Sequence, residues 1–167
     1  MRIVKDIWIG TKKGTIDKYD PLTSKFISWK LESELTGEIS VKSICEDKEG
    51  SIWIGTYKGG LYKLDQTTGK IKNWKADPAF ERSLSSNYNL SVIDDVNGNI
   101  IIGTYSGLNI LNPLKEDQGF RKIYFDPNNE NSLSNNIIWA LSKSSIDSNL
   151  IYIGTSNHIS TQVYGVI

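Results

Sequence analysis

Apolar residues fall in short runs along this chain, and each run ends in a cluster of Gly, Asp, Asn, Ser or Lys. One stretch shows the pattern clearly. Val41–Glu46 is a mostly apolar run, and Asp47-Lys48-Glu49-Gly50 reads as a turn. Ile52–Thr56 is the next run and Tyr57-Lys58-Gly59-Gly60 the next turn. Leu61–Asp65, a turn at Gln66–Gly69 and Ile71–Lys75 follow. Asp bonds its own backbone in such turns, and Gly takes positive φ at little steric cost. Within Ile52–Thr56 the side chains of Ile52 and Ile54 lie on one face and Trp53 on the other. Nowhere does the longer periodicity of an amphipathic helix replace this pattern. The chain therefore predicts four short strands joined by tight hairpins.

That unit recurs. Gly-Thr stands at 10–11, 55–56, 103–104 and 154–155, at steps of 45, 48 and 51 residues. Ile7–Lys30 aligns with Ile52–Lys75 without a gap, with 13 identities in 24 positions. Asp47, Gly50, Ile52, Ile54, Gly55, Thr56 and Tyr57 match Asp95, Gly98, Ile100, Ile102, Gly103, Thr104 and Tyr105. Ser83-Leu84-Ser85-Ser86-Asn87 matches Ser132-Leu133-Ser134-Asn135-Asn136. Four strands in this period is the size of one β-propeller blade. The predicted fold class is all-β: about 3.5 four-stranded antiparallel blades, a partial propeller. It is a single domain over 1–167, with repeats near 1–40, 41–88, 89–136 and 137–167. The strand count is about 14, distributed three, four, four and three.

Composition agrees. The chain holds 23 Ile and 17 aromatic residues but 3 Ala, a balance that suits strands over helices. Lys plus Arg is 19 and Asp plus Glu is 19, so the formal net charge is zero. That argues against a nucleic-acid partner, which calls for a basic surface. One Cys and one His allow neither an internal disulfide nor an ordinary zinc site. No apolar run reaches the roughly 20 residues of a membrane helix, so no membrane insertion is expected. Met1–Asp6 has no apolar signal-peptide core.

Most repeated residues read as structural. Trp8 and Trp53 are expected to pack between blades, and Trp29 and Trp74 to bury area from the outer strand. Gly55 and its equivalents are expected at a close approach or a bulge. Cys45 is expected as a small buried apolar residue. The carboxylate pairs Glu46-Asp47 and Asp94-Asp95 recur at matching positions, which favours a turn role over acid–base chemistry. Gly55–Gly60 is no phosphate loop, and Gly103–Gly107 no nucleophile elbow. The Asp-x-x-Gly turns carry too few oxygens for calcium. No catalytic residue, metal or cofactor is predicted.

Binding candidates lie where the repeats share a loop position but differ in residue type. Lys12, Tyr57 and Tyr105 occupy one position just after Gly-Thr. Their turns join second to third strands at one end of the propeller. The long fourth-to-first connections reach the same end and carry Asn87, Asn89, Asn135 and Asn136. Aromatic and amide groups together suit a hydroxyl-rich ligand. Exposed turn residues without a ligand are the plainer alternative.

The segment Val41–Tyr62, with the Ser-Leu-Ser lead-ins at 83–87 and 132–136, resembles the two-component regulator propeller repeat. The resemblance covers about residues 7–155. It implies the extracytoplasmic sensor of hybrid histidine kinases from Bacteroides-type bacteria, hence a periplasmic location. It also implies sensing of oligosaccharides. The kinase parts of that family are absent here, so no kinase activity carries over. Repeat three has Ile101 where Trp is expected and repeat four has Tyr152, and Gly-Gly-Leu is lost after Thr155. Ser156–Ile167 has room for a third strand without a fourth.

A seven-bladed ring needs on the order of 315 residues at this period, so the chain amounts to about half a propeller. End repeats without polar caps expose apolar faces, which predicts self-association through the end blades or a piece of a longer protein. Three readings stand beside the sensor: a structural or protein-interaction propeller without a small ligand, a gene remnant, and a propeller lyase. The lyase would need a general base, and His158 lies outside the regular repeats.

Overall fold

The hairpin turns are held by side chains that the repeat carries forward. Asp47 Oδ1 accepts the N–H groups of Glu49 (3.1 Å) and Ser51 (2.8 Å), and Oδ2 accepts Trp53 Nε1 at 2.7 Å. Asp95 does the same for Asn97 and Asn99, with Asn99 Nδ2 replacing the indole. Gly50 and Gly98 close these turns at φ +81° and +82°, in the left-handed region. The second carboxylate of each pair is thus a turn anchor, whereas Glu46 accepts Gln66 Nε2 at 3.1 Å and Asp94 pairs with Lys143 at 2.5 Å. At the opposite turns the Thr of Gly-Thr is the clamp: Thr56 Oγ1 donates to Gly60 O and Thr104 Oγ1 to Gly107 O.

A computed structural model describes residues 6–32, 39–156 and 159–160. Its strands are β1 (Ile7–Gly10), β2 (Thr15–Asp20), β3 (Lys25–Lys30), β4 (Ser40–Glu46), β5 (Ile52–Tyr57), β6 (Gly60–Leu64) and β7 (Ile71–Trp74). They continue as β8 (Asn89–Asp94), β9 (Ile100–Thr104), β10 (Gly107–Leu111), β11 (Arg121–Ile123), β12 (Ile138–Lys143), β13 (Ile151–Thr155) and β14 (Ile159–Ser160). They form four antiparallel meanders of three, four, four and three strands: β1–β3, β4–β7, β8–β11 and β12–β14. This is the predicted partial propeller. β14 supplies the expected third strand of the last sheet, pairing with β13; residues 157–158, His158 among them, and 161–167 lie outside the described residues.

The sheets stack face to face with β4, β8 and β12 side by side on the inside. Each interface is a separate apolar core. Ile16, Leu31, Ile52 and Ile54 fill the first, Trp53, Leu84, Val92 and Ile102 the second, and Ile101, Leu133, Ile138 and Ile153 the third. Trp53 is fully buried and stacks on Trp74 at 5.3 Å; Trp8 stacks on Trp29 at 5.6 Å. Truncating such a buried ring to Ala costs about 3–5 kcal/mol.

Two devices bring the inner strands together. Where the Gly of Gly-Thr faces the next sheet, a branched side chain fills the space. Val41 lies against Gly10, Val92 against Gly55 and Ile138 against Gly103. Each inner strand also carries a bulge, at Val41/Ser43, Asn89/Ser91 and Ile138/Ala140. The Ser after the bulge reaches the next inner strand: Ser43 Oγ accepts Val92 N–H at 2.9 Å, and Ser91 Oγ accepts Leu141 N–H at 3.1 Å.

Two features depart from expectation. Cys45 is only half-buried, because its Sγ faces the Asp94 carboxylate at 3.6 Å at the sheet interface. The third repeat has a 3-10 segment, Pro113–Gln118, between β10 and β11, capped by Asn112 Oδ1 on Leu114 N–H. Its Glu116 pairs with Lys63 (2.9 Å) and Lys72 (2.6 Å) of the second sheet. Burial pushes Glu116 up, but the hydrogen bonds from Lys72 and Lys63 outweigh it and hold its carboxyl below the usual range.

The two end sheets leave apolar groups in solvent: Ile7, Ile9 and Phe26 on the first, Trp139 and Tyr152 on the last. At the glycine contacts within the stack there is no such slack. A Cβ on Gly55 would lie 2.7 Å from Val92 Cγ2. Gly55→Ala is expected to destabilise the fold by about 1–3 kcal/mol, read as a lower denaturant midpoint with an unchanged m-value.

Candidate functional site

The second-to-third-strand turns and the long fourth-to-first connections meet at one end of the stack. Gly60 N–H donates to Asn87 O (3.1 Å), and Gly107 N–H to Asn136 O (2.6 Å). Four aromatic rings gather there. Tyr88 and Tyr105 stack at 5.4 Å and 11°. Tyr57 meets both edge-on, at 4.8 and 6.1 Å. Trp139 meets Tyr105 edge-on at 5.6 Å, is 52% exposed, and donates Nε1–H to Ser156 Oγ at 2.9 Å. Each such pair contributes about 0.5–1.5 kcal/mol beyond its buried area.

The local cause is the bulge. It takes Lys42, Leu90 and Trp139 out of the ladder on the three inner strands, and bulges re-aim side chains. In the last sheet the re-aimed residue is Trp139. In the second it is Lys42, whose Nζ lies 5.6 Å from the Tyr57 ring centroid. The mouth is thus aromatic toward the third and fourth sheets, with a cation over Tyr57.

The sequence candidates divide. Tyr57 and Tyr105 meet in the ring cluster. Lys12 is exposed on the equivalent turn of the first sheet. Three asparagines use their side-chain oxygens on the loops themselves. Asn87 Oδ1 accepts Ala76 N–H at 2.8 Å, Asn136 Oδ1 accepts Phe125 N–H at 2.7 Å, and Asn135 Oδ1 accepts Ile137 N–H at 2.8 Å. Asn89 is fully buried. The lead-in serines are structural too: Ser83 and Ser132 clasp Asp77 and Asp126. Sequence reasoning missed Tyr88 and Trp139. Their signal was a departure from the repeat: Tyr88 stands where the next repeat has Ile137, and Trp139 where earlier ones have Lys42 and Leu90.

A groove of about 900 Å³ lies elsewhere, between the third and fourth sheets. Leu108, Ile110, Ile123, Ile151 and Ile153 line it. The rings of Phe80, Phe120 and Tyr124 and the charged Arg82, Asp95 and Arg121 share this lining.

The comparisons agree with this architecture. A family model described as two component regulator propeller matches residues 34–58. The extracellular domain of a protein described as the hybrid two component system BT4673 of B. thetaiotaomicron superposes with a TM-score of 0.70. It is 30% identical over 90% of this chain and 19% of that chain. This chain resembles the two component regulator propeller family and shares the fold of that extracellular domain. The extracellular domain of BT3049, from the same organism, gives a TM-score of 0.69 at 20% identity, over 90% of this chain and 20% of that one. Virginiamycin B lyase from Staphylococcus aureus gives 0.58 at 13% identity, over 96% of this chain and 52% of the lyase. The last two likenesses concern the fold alone. The propeller chain spans about a fifth of the length of the two Bacteroides domains. No curated protein sequence matches it. Among the described residues no helix is long and apolar enough to cross a membrane.

Far from the mouth, Cys45 is chemically quiet. Burial, and then the Asp94 carboxylate, push its thiol up to about 12. As the thiolate is the reactive form, native protein at pH 8 is expected to resist iodoacetamide. Denatured protein should take up one equivalent, counted by intact mass. Rapid native labelling would contradict the packing described.

Proposed function

We propose that this propeller segment is part of an extracytoplasmic sensor and binds an oligosaccharide at its aromatic mouth. The observation that carries the reading is the four-ring cluster of Tyr57, Tyr88, Tyr105 and Trp139, with Trp139 half in solvent. Flat rings beside hydrogen-bonding loops fit a sugar, which offers an apolar ring face and a polar rim. The Bacteroides relatives support the setting, since they are extracellular domains of signalling proteins. No catalytic role is assigned to the chain.

Calorimetry with cellotriose, maltotriose, mannotriose, xylotriose and trigalacturonate tests this. Saturable binding of at least one is expected, with a change in tryptophan emission. Trp139→Ala should weaken it about tenfold, a loss of about 1.4 kcal/mol. Saturable binding that ignores Trp139→Ala would put the ligand elsewhere. Absence of any binding would favour the interaction-propeller reading.

A second proposal follows from the ends of the stack. Gly154 is equivalent to Gly10, Gly55 and Gly103, yet the three nearest atoms to a Cβ there, at 3.5–3.8 Å, all belong to Ala140 of its own sheet. Among the described residues, no branched side chain of a further sheet is among the three atoms nearest that position. With Ile7 and Ile9 exposed at the other end, copies of the chain are proposed to associate end to end through these sheets. Light scattering over a dilution series should give a discrete oligomer, and Ile9→Lys should shift it toward monomer. A monomer at every concentration would refute the association.

A further inference from the structure

Among the described residues, Asn89 alone has buried side-chain nitrogen and oxygen atoms that meet no hydrogen-bond partner. It is 0% exposed. Its place in the fold ties it to the mouth. Asn89 faces Thr104 across the β8–β9 ladder, and Tyr88 and Tyr105 are the next residues outward, joined by Tyr105 N–H to Tyr88 O at 3.1 Å. On the other side lies Gly55 of β5, where a built Cβ would sit 3.5 Å from Asn89 Cβ. Tyr57 stands two residues beyond Gly55. The carboxamide is therefore in the crevice between the second and third sheets, one rung beneath three rings of the cluster.

The repeats say what belongs there. The residues paired with the equivalent threonines, Thr56 and Thr155, are Val41 and Ile138. Both are branched and apolar, and both press on the glycine of the preceding sheet. Among the described residues, only the third repeat puts an amide in this place. The neighbouring hydroxyl does not satisfy it: Thr104 Oγ1 is engaged with Gly107 O (2.9 Å) and Ser85 Oγ (3.0 Å). An unpaired buried amide is costly, and such a group in a folded protein calls for an explanation.

We propose that Asn89 is the specificity-determining group of the mouth, satisfied by a ligand seated on the rings, and that this ligand is a neutral sugar with adjacent free hydroxyls. The inference rests on the oligosaccharide reading above. A carboxamide holds a donor and an acceptor side by side, and two neighbouring hydroxyls can accept one bond and donate the other. A carboxylate meets only the donor, leaves Oδ1 facing an anion, and is itself expensive to bury. Tyr57, the last residue of β5, meets Tyr88 and Tyr105 edge-on, and rotation of its ring is the proposed way to the amide.

Asn89→Val and Asn89→Asp test this with the same five trisaccharides. Asn89→Val restores the residue type of the equivalent positions, so its melting temperature should rise by about 2–4 °C. Its affinity for the neutral trisaccharide that the wild type binds should fall by at least about tenfold. Asn89→Asp, nearly the same shape without the donor, should lose affinity without the gain in melting temperature. Unchanged affinity in both variants overturns the role of Asn89 while leaving the mouth as the site. Binding of trigalacturonate alone overturns the neutral class. If the wild type binds none of the five, the oligosaccharide reading fails, and this inference with it.

Discussion

The close approach of one sheet to the next at the glycine of Gly-Thr governs this structure. Without a Cβ at Gly10, Gly55 and Gly103, the next inner strand brings a branched side chain against bare backbone. That distance lets the serine beyond each bulge reach the following strand, from Ser43 to Val92 and from Ser91 to Leu141. It also sets the spacing at which rings from neighbouring turns meet. Tyr57 stands two residues beyond Gly55 and Tyr105 two beyond Gly103. The cluster at the mouth is therefore a consequence of the same contact that stacks the sheets.

A repeat fold of this kind divides labour between positions that recur and positions that vary. Asp47 and Asp95 recur because the turn needs an acceptor for two N–H groups. Thr56 and Thr104 recur because their hydroxyls clamp the opposite turn. Ser83 and Ser132, and Asn87 and Asn136, recur because a long connection must satisfy its own backbone. Variation is concentrated at the inner end: Lys42, Leu90 and Trp139 at the bulge, and Val41, Asn89 and Ile138 beside it. Those residues face the mouth or the crevice under it, where the backbone makes no demand on side-chain type. An amide among apolar equivalents is informative for that reason.

The departures from expectation have physical causes. Free cysteine is usually buried, and the sequence places Cys45 accordingly. The structure sets it beside Asp94 from a neighbouring sheet, a contact that spacing within one repeat cannot reveal. The Pro113–Gln118 segment has no counterpart in the other repeats, so periodicity carried no information about it. The bulges left no mark in the hydrophobic pattern either, because a single extra residue is lost within runs of mixed apolar character.

The sequence by itself determined the number of strands, their grouping as three, four, four and three, and their turns. Those features rest on local chemistry: alternation, Asp and Gly at turns, and a period repeated along the chain. It also determined that Tyr57 and Tyr105 share one end, since equivalent positions in stacked units must. Only the tertiary structure decided which rings touch, drawing in Tyr88 and Trp139, and which asparagines are spent on the backbone. It alone revealed that the Asn89 amide is buried without a partner. Those outcomes depend on distances between residues some 50 positions apart, set by how closely two sheets pack, and no local pattern encodes such a distance.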